Sequence, residues 1–156
     1  DPFRQSWLCA NSYFVNLFYH RWQLSQNSYM QKYFDEVEAA YHGPLWKTEK
    51  LGLLAFQNLT RLRGGRLLVV TFPYMDAMLR FKPVQEQLAR YWQERGVPHL
   101  DLLPIFTNHP PAQLVVNSHD AHPNEFAHEL AAKAIDEFLK REIRNSDSSP
   151  PLGPKR

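Results

Sequence analysis

"GRLLVVTFPYMD", residues 65–76, is the stretch that decides the fold. Leu67, Leu68, Val69, Val70 and Phe72 make a short apolar run between Gly65 and Pro73. Such a run is too brief for a buried helix and lacks polar alternation, so it reads as a strand covered on both faces. Strands of that kind belong to parallel sheets packed between helices. The flanking segments agree. Upstream, residues 45–63 put Leu51, Leu54, Ala55, Leu59 and Leu62 on one helical face, and Gly64-Gly65 suit a left-handed C-terminal cap. Downstream, residues 83–95 form a helix with Pro83 in its first turn and Gly96 as its stop. "VPHLDLLPIF", residues 97–106, reads as a second buried strand, with Pro98 tolerated only at its start.

Farther out, residues 6–22 space Leu8, Val15, Phe18, Tyr19 and Trp22 as an amphipathic helix with Ser6 as N-cap. Residues 23–43 are polar and aromatic, and predict an irregular or partly helical excursion ended by "HGPLW". "QLVVNSHDAH", residues 113–122, is strand-like. Pro123 then starts a last helix, with Phe126, Leu130, Ala134, Phe138 and Leu139 as its apolar stripe. Residues 145–156 carry too little apolar surface to order themselves and predict a flexible tail. Helix, strand, helix, strand, helix is the doubly wound α/β pattern, with the sheet as the middle of three layers. Two strands are few for such a sheet, and no Gly-rich phosphate loop follows either. Residues 1–144 therefore read as the C-terminal part of a single domain. The first residue is Asp, not Met, so the expectation is a piece that begins inside a longer protein, or a processed one, its compartment undefined.

Composition narrows the partners. The 156 residues can bury a real core, and 44% hydrophobic with 22% charged residues is ordinary for a globular protein. A net charge of +2, with 18 scattered Lys and Arg, argues against a nucleic-acid partner. No apolar run approaches the roughly 20 residues of a membrane span. Cys9 is the only cysteine, which excludes a disulfide framework and a thiolate metal cage within the chain. Beside Trp7, Leu8 and Ala10 it reads as a small buried hydrophobe rather than a nucleophile.

Chemistry concentrates in "SHDAHPN", residues 118–124. With Pro123 at the first helical position, His122 becomes the N-cap, and Glu125 favours the positive helix end. Ligands of doubly wound sheets bind at the carboxyl ends of the strands, where this loop, "TFPYMD" and the loop after "LLPIF" should gather. A histidine at the positive end of a helix tends to stay neutral, as a general base must. It also needs a carboxylate at Nδ1, and Asp120 stands two residues earlier. Three readings remain open on the residues alone. One is that base and its carboxylate; another is a polar loop in which Asp120 caps backbone and His122 is merely exposed. The third is a metal site of His119, Asp120 and His122 with His109 or His128, which lacks a further ligand at a known spacing.

"DAHPNEFAHELAAKAIDEFL" resembles the last block of the SGNH (GDSL-type) hydrolase family, where an Asp and a His precede Pro-Asn and a closing helix. "GRLLVVTFPYMD" and "ERGVPHLDLLPIF", joined by a helix, look like that family's fourth and fifth strand units. The resemblance covers about residues 45–142. It implies a flavodoxin-like, SGNH-type three-layer sheet, incomplete at its N-terminus, and a serine esterase or acyl hydrolase with no metal or organic cofactor. The substrate class would be a small acyl or acetyl ester. His122 would be the base that takes the serine proton and Asp120 its orienting carboxylate. The family's commoner spacing puts the Asp three residues before the His, where this sequence has His119. Its Gly-Asp-Ser nucleophile and Gly-x-Asn-Asp oxyanion segment are missing here, and neither Ser12 nor Ser148 replaces the serine. The chain alone is thus expected to be inert. The alternative is a non-catalytic relative whose aromatic stretch, residues 13–41, binds carbohydrate or lipid. A third possibility is a flavodoxin-like binding or signalling module.

Overall fold

The computed structural model describes residues 7–25, 28–118 and 120–147. Ser6, the expected first cap, lies outside them, as do His119 and most of the expected tail. The protein is α/β: mostly helical, with two small sheets of two strands each. It divides into two compact units, residues 1–52 and 53–156.

The first unit is helical: α1 (Trp7–Asn11), α2 (Tyr13–Ser25), α3 (Ser28–His42) and the beginning of α4 (Pro44–Leu62). Ser12 separates α1 from α2, where its hydroxyl accepts the Val15 N–H at 3.3 Å and its own N–H donates to the Leu8 carbonyl. The aromatic excursion expected over 23–43 is mostly the regular helix α3, closed by Gly43 and restarted by Pro44 at a position where a missing N–H costs nothing. The apolar face of α2 is not buried: Phe14, Phe18 and Trp22 are exposed. The expected face of α4 is open too, since no residue of this helix is buried.

The second unit holds the sheets. β1 (Val69–Thr71) pairs in parallel with β2 (His99–Asp101), Val69 facing His99 and Thr71 facing Asp101. α5 (Lys82–Glu94) connects them, as a parallel pair requires. Gly64 and Gly96 take positive φ, 72° and 62°, which supports the expected left-handed stops. Two expectations need correction. β1 is not covered on both faces, for Val70 is 37% exposed, and Phe72 just after the strand is 40% exposed. The second strand is not 97–106 but three residues long. The Asp101 carboxylate accepts the Leu103 N–H at 2.9 Å and turns the chain, and Pro104 then fits the first turn of α6 (Leu103–Phe106).

After a 3-10 turn at Pro111–Gln113, β3 (Val115–Asn117) and β4 (Asp120–Pro123) form an irregular antiparallel hairpin, and α7 (Glu125–Asp147) closes the described chain. The core gathers Met75 and Met78 from the segment after β1, Leu102, Leu103 and Phe106 around α6, Leu114, and Ala127 and Ala131 of α7. It therefore lies directly beneath the segments that follow the strands. Arg66, just before β1, clamps the far end of α7. Its guanidinium donates to the Glu142 carbonyl at 2.7 Å and to the Glu142 carboxylate at 2.6 Å.

Candidate active site

The start of α7 differs from the sequence expectation in a way that matters for chemistry. His122 is not the N-cap. It is the third residue of β4, and Pro123 ends the strand opposite Val115. Pro123 still pairs with Val115, so the chain stays in the hairpin through it and the helix begins only at Glu125. Asn124 takes the cap instead: its Oδ1 accepts the Ala127 N–H at 3.0 Å, and its carbonyl accepts the His128 N–H at 3.0 Å. Asparagine is among the strongest N-caps, and this signal stood in the sequence one residue past the chosen proline.

Asp120 and His122 do meet. The His122 backbone N–H donates to Asp120 Oδ1 at 3.0 Å, and His122 Nδ1 lies 2.6 Å from the same oxygen. The Asp-x-His spacing makes this possible, because a strand returns residues i and i+2 to one face. The His122 N–H, and after it the His122 ring, hold the Asp120 carboxyl below the usual carboxylate range. An ionised carboxylate only accepts, so Nδ1 must carry the proton. In a neutral ring that leaves the lone pair on Nε2, on the solvent side: the His122 side chain is 87% exposed and that of Asp120 44%.

The segments after β1 and β2 meet the first turn of α7 rather than the 118–124 loop that the sequence predicts beside them. Phe72 packs at a tilt against Phe106 with centroids 5.0 Å apart and approaches His128 at 6.2 Å. His109 meets Phe126 edge-on at 5.2 Å. His109 and His128 thus serve as ring contacts. Among the described residues, no group of three or more His, Cys, Asp or Glu side chains is disposed to hold a metal.

A second histidine contact was not foreseen. Thr71 Oγ1 lies 3.0 Å from His99 Nε2 across the parallel strands. Burial pushes the His99 imidazole below its ordinary value, and Asp101 partly opposes this. In form this resembles a nucleophile and its base. Asp101, however, directs Oδ1 to the Leu103 N–H, and Thr71 is half-buried within the sheet. The contact ties β1 to β2. No protein-family model, curated protein or solved structure matches this chain.

Proposed function

We propose that this chain is the base-bearing part of an SGNH-type serine ester hydrolase, with β1 and β2 as two neighbouring strands of a larger three-layer, doubly wound sheet. One observation carries the reading: the 2.6 Å contact of His122 Nδ1 with Asp120 Oδ1. It fixes the tautomer in which Nε2 takes a proton, and the carboxylate stabilises the imidazolium that results. The hydroxyl of a serine outside this chain would attack the ester carbonyl and pass its proton to Nε2. The ring would then return that proton to the departing alcohol oxygen, and water would repeat the cycle on the acyl-enzyme. Oxyanion donors would come from the same outside segment, since the chain has neither Gly-Asp-Ser nor Gly-x-Asn-Asp.

The test is hydrolysis of a chromogenic acetyl ester by the full-length protein. His122→Ala should lower the rate roughly 10⁴-fold or more while leaving the circular dichroism unchanged. An unchanged rate refutes the assignment. Lipid or carbohydrate binding without catalysis draws on a different observation, the exposed aromatic face that Phe14, Phe18 and Trp22 form on α2 in the first unit. A full-length protein that carries the serine and still hydrolyses no ester would favour that second reading.

A further inference from the structure

We propose that Asn124 is the positioning residue of the Asp120–His122 pair, coupling the hairpin that bears it to the first turn of α7. The inference rests on the proposed base and its orienting carboxylate. The His122 side chain is open to water and that of Asp120 is half-exposed, so surrounding packing does little to fix the histidine rotamer and the backbone has to. That backbone is a short, irregular hairpin, and a two-stranded ribbon is marginal by itself in water.

Asn124 supplies the missing constraint. Its Nδ2 donates to the Gln113 carbonyl at 2.9 Å and to the Val115 carbonyl at 3.0 Å. Its backbone N–H donates to the Leu114 carbonyl between them at 2.9 Å. Three successive carbonyls leading into β3 are thereby held by one residue. On the other side, Oδ1 and the Asn124 carbonyl cap α7 through Ala127 and His128. Leu114 and Ala127, at the two ends of this bridge, are fully buried. The hairpin is therefore registered against the core through Asn124. Only Pro123, whose φ is locked, separates that anchor from His122.

The side chain uses two donors and one acceptor at once, which explains why the residue is asparagine. Aspartate would cap the helix equally well but could not donate to either carbonyl. Serine would keep the cap and offer one donor of shorter reach.

The experiment reads the His122 ring by ¹⁵N and ¹H NMR in the intact chain, at mildly alkaline pH where an ordinary imidazole is neutral. In the unaltered protein the Nδ1–H tautomer should dominate, with a protected Nδ1 proton. In Asn124→Asp that proton signal should be lost and the ring should drift toward the Nε2–H form that free imidazoles prefer, with helix content retained. Asn124→Ser should shift it in the same direction, and it decides the matter if Asn124→Asp does not fold. Glu142→Gln, which loosens the opposite end of α7, should leave the tautomer alone.

A predominantly Nε2–H ring in the unaltered protein refutes the pair itself and, with it, the proposed function. An Nδ1–H ring that stays unchanged in both Asn124 variants refutes only the positioning role. An equal shift in Glu142→Gln refutes that role too, because the effect would then be general loosening.

Discussion

Glu142 and Arg66 should respond unequally to mutation, and the inequality follows from where each sits. The Glu142 side chain is 11% exposed and that of Arg66 45%. Arg66→Met removes two charge-assisted hydrogen bonds and leaves a nearly buried carboxylate with Arg141 Nε at 3.5 Å as its remaining cation. A hydrogen bond to a charged group is worth about 1.5–3 kcal/mol, and solvent screening at a half-exposed guanidinium favours the lower end. Methionine retains part of the stem packing, so the net loss should be about 2 kcal/mol. Glu142→Gln is milder. The amide keeps the shape and one acceptor oxygen, the backbone carbonyl still accepts from Arg66, and the guanidinium can rehydrate. About 1 kcal/mol is expected. Urea unfolding followed by far-ultraviolet circular dichroism measures both, provided the two variants share one m-value. If Glu142→Gln costs as much as Arg66→Met, the buried carboxylate is not the vulnerable partner and the argument fails.

Two further outcomes bear on the core and on the pair. Phe106 is fully buried where α6 meets the core cluster, so Phe106→Ala should destabilise the protein by about 3–5 kcal/mol, seen as a lower urea midpoint. A loss under 1 kcal/mol would mean that the segments after the strands do not share one core. Asp120 has a depressed folded pKa, so its contribution to local order is present above the ordinary carboxylate pKa and is lost as pH falls through the depressed value. Amide shifts of the hairpin should therefore show an acid transition below the usual carboxylate range. Asp120→Asn should abolish it, and a transition that persists in that variant would assign it to another group.

The sequence showed most where one local rule had no competitor. Gly64 and Gly96 stop their helices because positive φ suits glycine and little else, and the branched run at 69–71 pairs in parallel as its pattern requires. It misled where two signals overlapped. Leu102 to Phe106 are as apolar as the strand before them, and only the Asp101 side chain, by turning the chain, separates the two. Pro123 resembles a helix start, yet it ends β4 opposite Val115, and the cap falls to Asn124. The Asp120–His122 contact was legible because it needs only two residues on one strand face. The Thr71–His99 contact and the reach of Asn124 to Gln113 and Val115 depend on register between segments, which local sequence does not encode.

The exposure of His122 sets a condition on the proposed chemistry. Between groups open to water, the attraction of imidazolium and carboxylate is weakened by the high dielectric, so the pair gains most of its strength only when water is excluded. Its geometry, by contrast, does not wait for a cover: the strand brings Asp120 to His122, and Asn124 ties that strand to the core. Orientation and desolvation are therefore separable here. On the proposed reading, whatever surface brings the serine must also shield the ring, and it would meet a base whose tautomer is already set. The isolated chain should then keep the His122–Asp120 hydrogen bond while hydrolysing no ester. Hydrolysis by the isolated chain that survives His122→Ala would show that its chemistry lies elsewhere.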